Sequence, residues 1–386
     1  MLKCIRINYV RNGFLDNLRF CAPCLLGLEG VVADELKALS VKNVSAENGR
    51  VLFDGSFNDM ARANLSLRCA ERVMILLAEF PAKTFDQLFE GTKNINFEDF
   101  IGEKDAFPVT GWALNSQLMS IPDCQKIIKK AAVERLKRSY RTDWFEETGS
   151  IHQIRFSIMK DKVSIMLDTS GAGLHKRGYR KNSNDAPIKE TLAAAIAKLS
   201  RLYDDSVVYD PFCGSGTLLI EAALLARNIA PGILRKFSCE NWDCIPQNIF
   251  REERMRALSA INRDIPFRCI GSDIDKNAIE LTFANAKKAG VGDCIVAHEA
   301  DISDFKISTQ RGIVLTNPPY GERLLDKTES ERIYRIMGKV FEKEYGKRYF
   351  IISPDERFED FFGRNADKKR KLYNGMIKCN LFMYYK

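Results

Sequence analysis

Residues 210–217, which read Asp-Pro-Phe-Cys-Gly-Ser-Gly-Thr, narrow the possible folds of this chain more than any other stretch. The run 206–209 before them is short enough for a buried strand, and the Leu- and Ala-rich run 218–223 after them strongly favours a helix. A strand, a glycine turn and a helix in this order let a backbone approach a ligand and direct helix N–H groups at it. The turn has neither the lysine of a phosphate-binding loop nor the third glycine of a dinucleotide-binding fingerprint, so neither motif is present.

A second stretch, residues 316–321, reads Thr-Asn-Pro-Pro-Tyr-Gly and follows the apolar run 312–315. The two prolines hold the backbone in an extended turn and remove two N–H donors. The side-chain oxygen of Asn317 and the nearby carbonyls therefore form an acceptor-rich corner, beside which Tyr320 offers a flat ring. An exocyclic amino group of a base suits this environment, because two acceptors can take its hydrogens while the ring stacks on the base.

From residue 186 onward, strands alternate with helices, which predicts a parallel doubly wound sheet. The residues that end successive predicted strands with an acid or amide are Asp210, Asp273, Asp301 and Asn317. In an open α/β sheet the ligand crevice lies at the carboxyl ends of the strands, so we expect these side chains to converge. The segment 371–385 predicts an antiparallel hairpin that turns at Asn374 and Gly375.

The two motifs together resemble those of class I S-adenosylmethionine-dependent methyltransferases, in the branch whose Asn-Pro-Pro-Tyr motif serves methylation of amino nitrogens. The front half resembles the ferredoxin-like plus THUMP module of RNA-modifying enzymes, on Ser-Ile-Pro-Asp-Cys-Gln at 120–125 and on the opening segment 20–29. The whole pattern is similar to that of bacterial THUMP-containing RNA guanine-N2 methyltransferases. This resemblance implies an α/β fold, with a Rossmann-like class I methyltransferase sheet and a C-terminal antiparallel hairpin after an α+β ferredoxin-like/THUMP module.

The expected division of the chain has five parts. They are an N-terminal extension that is a candidate for disorder (1–19), a ferredoxin-like part (20–62), a THUMP RNA-binding domain (63–168), a linker (169–185) and a methyltransferase domain (186–386).

The resemblance implies S-adenosyl-L-methionine as cofactor, S-adenosyl-L-homocysteine as product, and no metal. Asp273 is expected to bind the ribose diol and Asp301 the adenine amino group, while Asp210 and the glycine turn face the methionine end. Each of these acids has an alternative role as a helix cap. The residues assigned to the cofactor are Glu190, Thr191, Asp210, Phe212, Gly214, Gly216, Thr217, Asp273, Ile274, Asp301 and Ile302.

The catalytic residues expected from the second motif are Asn317, Pro318, Pro319 and Tyr320. Asn317 and the Pro318 carbonyl would accept the two hydrogens of the target amino group, and Tyr320 would receive the flipped base. A metal or redox site is not expected: the single Cys-x-x-Cys at 21–24 has no second pair, and the chain has only three histidines, which are far apart.

The net charge of +8 is modest for 386 residues, so its distribution matters more than its total. Cations concentrate on the predicted helix after residue 120 and in the connector 175–181, where they favour contact with a polyanion. The alternative is a solvated helix face and an ordinary linker. The residues assigned to RNA are Lys126, Lys129, Lys130, Arg135, Arg138, Lys176, Arg177, Tyr179 and Arg180, with Tyr179 expected to stack on a base.

These features predict an RNA methyltransferase acting on an exocyclic base nitrogen, with guanine N2 of ribosomal RNA preferred over a tRNA target. Three alternatives stay open: an N6-adenine methyltransferase acting on DNA or RNA, a glutamine-N5 protein methyltransferase, and an RNA-binding factor with an inactive site. No apolar run approaches the ~20 residues of a membrane span, so no membrane partner is expected. Eleven scattered cysteines favour reduced thiols in the cytoplasm.

Overall fold

The computed structural model of this chain describes residues 17–180, 188–203, 205–320 and 327–385, which form two seven-stranded sheets. The first sheet contains β1 (Leu18–Pro23), β2 (Lys42–Glu47), β3 (Arg50–Gly55), β4 (Met74–Pro81), β5 (Val109–Leu114), β6 (Ile154–Met159) and β7 (Lys162–Asp168). The helices that accompany it are α1 (Glu29–Ala38), α2 (Phe57–Ser66), α3 (Phe85–Lys93) and α4 (Ile121–Tyr140).

The order of the first sheet is β2-β3-β1-β4-β7-β6-β5, so the ferredoxin-like part and the THUMP part share one continuous sheet. The junction is the antiparallel pair of β1 with β4, in which Phe20 lies opposite Ile75. Helix α2 begins with a capping box, because the Ser56 side chain accepts from the Asp59 N–H and the Asp59 side chain accepts from the Ser56 N–H. This helix continues unbroken through residues 62 and 63. We therefore correct the expected boundary there and propose that the first part ends after α2.

Strand β1 includes Leu18 and Arg19, the last two residues of the expected N-terminal extension. Leu18 is buried, and Arg19 forms an ion pair with Asp54 on β3. The expectation of disorder therefore does not hold for these two residues. Residues 1–16 lie outside the described residues.

The second sheet contains β8 (Val207–Asp210), β9 (Arg268–Asp273), β10 (Ile295–Glu299), β11 (Gly312–Thr316), β12 (Lys347–Ser353), β13 (Lys368–Asn374) and β14 (Ile377–Tyr384). Its helices are α5 (Glu190–Leu199), α6 (Thr217–Ala226), α7 (Ile249–Ser259), α8 (Lys276–Ala289), α9 (Lys327–Val340) and α10 (Phe358–Phe362). The order is β10-β9-β8-β11-β12-β14-β13, parallel from β10 to β12 and closed by the antiparallel strands β14 and β13. This confirms the predicted Rossmann-like sheet with a C-terminal hairpin.

The strand order reverses between β8 and β11. From β8 the chain proceeds outward through β9 to β10, and it then returns to place β11 on the other side of β8. Such a switch point opens a crevice at the carboxyl ends of the two strands, which is where ligands bind in open α/β sheets. The glycine turn (residues 210–217) follows β8, and the proline corner (residues 316–320) follows β11. The topology of the sheet therefore brings the two motifs together.

The first half of the molecule, which contains the first sheet, contacts the second half, which contains the second sheet, through both backbone and side-chain atoms. The Gly232 N–H donates to the Leu65 carbonyl over 2.8 Å, and a Cβ on Gly232 would lie 2.8 Å from the Asn64 carbonyl oxygen. Trp242 stacks on His152 with ring centroids 4.3 Å apart, and its Nε1 donates to the Ile151 carbonyl over 3.0 Å. The aromatic loop 231–246 of the second half is therefore one of the segments that dock onto the first.

The described residues form no membrane-spanning helix and no disulfide bond. Among the helices that the structure describes, none is long and apolar enough to cross a membrane. The ten cysteines within the described ranges are free thiols, and nine of them are buried.

Candidate active site

The glycine turn after β8 depends on backbone conformations that favour glycine. Gly214 and Gly216 have φ values of +52° and +80°, and Gly216 is the left-handed N-cap of α6. A Cβ on Gly216 would lie 2.9 Å from Cγ2 of Thr282, whereas a Cβ on Gly214 would meet nothing within 4 Å among the described residues. The turn is therefore packed against α8 at Gly216 and open on its Gly214 side.

Side chains of α8 hold the turn in place. Thr282 Oγ1 donates to the Gly214 carbonyl over 2.9 Å, and Asn285 Nδ2 donates to the Ser215 carbonyl over 3.0 Å. Both side chains are buried, so these bonds are shielded from water. The turn is thus fixed by contacts that no sequence motif indicated.

Asp273, at the end of β9, is tied directly to the turn. Its Oδ2 accepts from the Gly214 N–H over 2.9 Å, and its Oδ1 accepts from the Asp275 N–H over 3.1 Å. Asp275 caps α8 through the Asn277 N–H, so it is engaged in a helix cap while Asp273 retains acceptor capacity. The next residue, Ile274, is 70% exposed.

Asp301 and Ile302 follow β10, which pairs with β9 so that Glu299 lies opposite Asp273. The Asp301 side chain accepts from the N–H and the hydroxyl of Ser303 at 2.8 and 2.7 Å, and these bonds hold its pKa below the usual range. Asp301 is exposed, whereas Ile302 is buried in a hydrophobic cluster. The structure therefore places Asp301 near Asp273 but gives it the helix-cap role that the sequence left open.

Asp210, at the end of β8, is almost fully buried. Desolvation raises the pKa of its carboxyl group to about 7, and hydrogen bonds from Thr316 and Phe212 partly oppose this rise. Its Oδ1 accepts from Thr316 Oγ1 over 2.8 Å and from the Phe212 N–H over 3.1 Å. Thr316 immediately precedes Asn317, so this bond joins the glycine turn to the proline corner across the switch point.

The proline corner after β11 contains one of the eleven buried side-chain polar atoms that have no hydrogen-bond partner among the described residues. Oδ1 of Asn317 is buried, and no hydrogen-bond donor for it exists among the described residues. A buried acceptor without a donor costs about 1–3 kcal/mol, so Asn317 Oδ1 can accept a hydrogen bond from a bound group. Pro318 is buried beside it, Pro319 and Tyr320 are half-buried, and the Tyr320 hydroxyl accepts from Asn374 Nδ2 over 3.0 Å. Residues 321–326 lie outside the described residues.

The start of α5 is held by ion pairs and hydrogen bonds. Glu190 is buried, which raises the pKa of its carboxyl group, and it pairs with Arg180 Nη2 at 3.0 Å. Arg180 Nη1 also lies 3.3 Å from the Thr217 hydroxyl at the start of α6. The Thr191 hydroxyl instead donates to Glu71 of the first half over 2.6 Å. Glu190 and Thr217 are therefore brought together through Arg180, whereas the Thr191 hydroxyl bonds to the other half of the molecule.

Three residues of the connector that were assigned to RNA contact need correction, because their side chains are engaged within the protein. Tyr179 is 2% exposed and donates to Glu221 over 3.0 Å, so its ring cannot stack on a base from outside. Arg177 is 3% exposed and bonds to Glu221 and to the carbonyls of Leu174 and Arg68. Arg180 joins the glycine turn, as described above. Of the connector's assigned residues, only Lys176 is exposed.

The basic helix α4 is divided by its ion pairs. Lys129 binds Glu147 and lies 3.4 Å from the Phe107 ring centroid, and Arg135 binds Glu98. Its exposed members assigned to RNA are Lys126, Lys130 and Arg138. Within the part of the chain that the structure describes, Lys130 and Arg138 have no carboxylate partner, while Lys126 lies 3.8 Å from Asp123.

The described residues contain no group of three or more histidine, cysteine, aspartate or glutamate side chains that could hold a metal ion. The residues at the switch point instead offer carboxylates, glycine backbone and one arginine. This donor set fits an adenosine cofactor that carries both a diol and charged groups.

Comparison with protein families gives three matches along the chain. Residues 19–74 match the RlmL ferredoxin-like domain, residues 82–168 match the THUMP domain, and residues 177–382 match the RMKL-like methyltransferase domain. The last match covers more than half of the chain.

Two curated relatives are similar along almost the whole chain. YpsC of Bacillus subtilis (strain 168), whose name proposes an RNA methyltransferase, is 45% identical over 94% of this chain and 95% of its own length. The ribosomal RNA large subunit methyltransferase K/L of Psychromonas ingrahamii is 34% identical over 95% of this chain. The chain spans about half of that longer protein.

Two solved structures share the fold. SMU.472, described as a proposed methyltransferase in complex with SAH, is 39% identical and superimposes with a TM-score of 0.90 over 96% of this chain and 98% of its own. A protein of Listeria monocytogenes str. 4b F2365, named on prediction as an N6-adenine-specific DNA methylase, is 43% identical with a TM-score of 0.90 over 96% and 97%. By these matches, the chain belongs to the RMKL-like methyltransferase family, in the form that carries an RlmL ferredoxin-like domain and a THUMP domain.

Proposed function

We propose that this protein is an RNA methyltransferase that uses S-adenosyl-L-methionine to methylate an exocyclic amino nitrogen of a flipped-out base, with guanine N2 of ribosomal RNA as the preferred target. The observation that carries this proposal is the buried Oδ1 of Asn317, an acceptor that has no donor among the described residues. It lies in a corner that Thr316 ties to the glycine turn. An amino group of a base is a donor of the kind that this atom lacks.

The cofactor would lie along the carboxyl edge of β8, β9 and β10. Asp273 is proposed for the ribose diol, Asp301 for the adenine amino group and Ile274 for one apolar wall of the adenine site. Gly214 gives the backbone an open face, and Asp210 lies at the methionine end. When bound, the cofactor supplies an activated methyl group on a sulfonium, which is already an excellent leaving group. The family relationship and the SAH-bound neighbour support this placement.

Arg180 is an addition that the sequence did not assign to the cofactor. It is fixed between Glu190 and the Thr217 hydroxyl, so its guanidinium lies at the start of α6 beside the glycine turn. A guanidinium there, together with the helix N-terminus, favours an anionic group. We therefore assign it to the carboxylate at the methionine end, in place of the RNA contact that its sequence position indicated.

The proline corner would promote methyl transfer by orienting the target amino group and not by acid–base chemistry. Asn317 Oδ1 and the Pro318 carbonyl would accept the two N–H hydrogens, which draws the nitrogen lone pair out of conjugation with the ring and toward the methyl carbon. The bound cofactor would give its methyl group to this nitrogen, and the sulfur would keep the electron pair of the C–S bond. The methylated nitrogen releases its extra proton to solvent. Correct alignment of reacting groups is worth up to roughly 7–11 kcal/mol in such reactions.

RNA as the substrate class is supported by the first half of the molecule. It carries the THUMP match, and its helix α4 presents exposed cations. The names of the curated relatives refer to RNA and, in one case, to ribosomal RNA of the large subunit. A basic surface at a distance from the site would hold a structured RNA by its phosphates while one base enters the corner.

N6-adenine methylation is the second candidate, and the name of the Listeria neighbour favours it. An adenine amino group would offer the same two hydrogens to Asn317 and Pro318. The two candidates differ in the ring that carries the amino group, and the corner's acceptors do not distinguish between them.

Nucleoside mass spectrometry tests the proposal. RNA from cells that lack the protein should lose one methylated guanosine, and the purified protein with S-adenosyl-L-methionine should restore it, whereas the Asn317→Ala variant should not. Loss of N6-methyladenosine instead would select the second candidate. Full restoration by Asn317→Ala would remove the corner from the mechanism.

A further inference from the structure

The hairpin formed by β13 and β14 reaches the proline corner and contacts its tyrosine. Asn374 Nδ2 donates a hydrogen bond to the Tyr320 hydroxyl over 3.0 Å, between residues 54 positions apart in the chain. Neither sequence motif of the site includes Asn374. The hydroxyl end of the ring is therefore fixed by an element that lies outside both motifs.

The backbone at Asn374 is itself well defined. Asn374 ends β13 opposite Ile377 on β14, so only Gly375 and Met376 form the turn between the two strands. Gly375 has a φ of +65° and Met376 does not have a positive φ, which is the pattern of a type II′ hairpin turn. Because this turn matches the twist of the strands, the Asn374 side chain projects from a fixed point.

The same strand also contacts the first half of the molecule. Arg370 Nε and Nη2 donate to the Gly27 carbonyl at 3.1 and 2.7 Å, and a Cβ on Gly27 would lie 2.7 Å from the Lys371 carbonyl oxygen. Arg370 and Asn374 are separated by about 14 Å along the strand, at ~3.4 Å per residue. Strand β13 therefore spans the distance from the ferredoxin-like part to the proline corner.

A hydrogen bond to the Tyr320 hydroxyl does not occupy the face of the ring. A base stacks on the face of a tyrosine, while the hydroxyl lies at the ring edge, so a bond there restricts ring orientation without blocking the face. A ring that already has its stacking orientation loses less freedom when the base arrives. We propose that Asn374 is a positioning residue that orients Tyr320 to receive the flipped base. This inference rests on the proposed function.

The variant Asn374→Leu keeps a similar size and removes the donor. We expect kcat/KM for RNA to fall about fivefold to tenfold, the equivalent of one hydrogen bond, with the affinity for S-adenosyl-L-homocysteine unchanged. Asn374→Asp should recover most of the loss, because the tyrosine hydroxyl can then donate to the carboxylate. Asn380→Leu is the matched control on the neighbouring strand, since the Asn380 side chain makes no hydrogen bond within the described residues; it should leave kcat/KM unchanged.

A double-mutant cycle with Tyr320→Phe separates positioning from simple support of the hairpin. If Asn374 acts through the hydroxyl, Asn374→Leu should have little further effect on kcat/KM once Tyr320→Phe is present. Fully additive losses, or a lower melting temperature with an unchanged kcat/KM, would overturn the inference. Asn317→Ala keeps the two proposals apart. An inactive Asn317→Ala with a fully active Asn374→Leu rejects only the role of Asn374, whereas an active Asn317→Ala rejects the proposed function itself.

Discussion

The glycine turn and the proline corner lie side by side at the switch point, but they differ in whether their polar atoms already have hydrogen-bond partners. In the turn, the Gly214 N–H and the Gly214 and Ser215 carbonyls already have partners on β9 and α8. In the corner, Asn317 Oδ1 is buried without a donor among the described residues. The first region is preorganised by the protein alone, whereas the second has an acceptor that a bound donor would satisfy. We therefore expect changes in the turn to affect stability and cofactor affinity, and changes in the corner to affect turnover.

The largest effect should come from the incomplete region. Asn317→Ala removes the acceptor, and we expect turnover to fall by a factor of about 10²–10³, as for loss of a preorganised polar group in other sites. Affinity for S-adenosyl-L-homocysteine, measured by calorimetric titration, should not change. Asn317→Asp keeps an acceptor of the same size and should retain much more activity than Asn317→Ala. Equal losses in the two variants would contradict the acceptor role.

The two glycines of the turn offer a matched pair for the preorganised region. Gly216→Ala places a Cβ 2.9 Å from Thr282 at a φ of +80°, so we expect the free energy of unfolding to fall by about 1–3 kcal/mol. Gly214→Ala meets no atom of the described residues within 4 Å and should cost about 1 kcal/mol for its positive φ. Because the open side is the proposed cofactor face, Gly214→Ala should weaken cofactor binding more than its stability loss predicts. Denaturant unfolding and titration with the cofactor measure the two quantities separately.

We expect Asp210 to make the affinities for S-adenosyl-L-methionine and S-adenosyl-L-homocysteine depend differently on pH. Burial raises its pKa to about 7, so in the free protein the carboxyl is protonated below pH 7 and ionised above it. A nearby sulfonium cation favours the ionised form. Affinity for S-adenosyl-L-methionine should therefore rise with pH up to pH 7, by at most about tenfold per unit, and level off above it. S-adenosyl-L-homocysteine has no sulfonium charge and should show a weaker dependence, and Asp210→Asn should remove the difference.

The same pKa has a consequence for folding. The native pKa of Asp210 lies above the unfolded value of about 3.9, so the unfolded chain loses this proton first as pH rises. The contribution of Asp210 to stability is therefore greatest below pH 4 and is lost progressively as pH rises toward 7. Thermal unfolding of Asp210→Asn should lack this part of the pH dependence.

The smallest effect should come from the basic helix, at a distance from both regions. Lys130→Gln with Arg138→Gln removes two exposed cations without a carboxylate partner in the described residues, and we expect RNA binding to weaken severalfold. The slope of log affinity against log salt should decrease by about 0.7–0.9 for each phosphate that the variant no longer binds. Lys129→Gln is the control, because Lys129 is engaged with Glu147. An unchanged slope would return α4 to the role of a solvated face.

The second half was predictable because its signals are local. Short sequence motifs predict the strand, turn and helix around Gly214 and the corner around Asn317. The parallel topology then brings the ends of β8 and β11 together. The hairpin was indicated for the same reason, but its turn is formed by Gly375 and Met376 and not by Asn374 and Gly375 as predicted, because Asn374 still pairs with Ile377 at the end of β13. The link between Thr316 and Asp210 was missed, since a threonine in a strand has no signature that distinguishes a buried partner from an ordinary one.

The first half and the connector were less predictable because their contacts are non-local. Strand β2 has a polar sequence and lies at a sheet edge, so it gave no apolar alternation to detect. Tyr179 and Arg177 lie in a Gly- and Lys/Arg-rich segment that favours an exposed linker, yet Glu221 of α6 binds both. A charged residue on a buried helix is the one signal that pointed to such a partner. Its identity depends on how the two halves dock.

The close contact of Gly232 with Asn64 and Leu65 has a consequence for substrate choice. Because backbone contacts backbone at this point, we expect the protein to hold helix α4 and the proline corner at a fixed separation. A transcript can then satisfy both only if its own folding places a phosphate groove and an extrudable nucleotide at that separation. Substrate selection would then depend mainly on the dimensions of the folded RNA and less on the nucleotide sequence around the target.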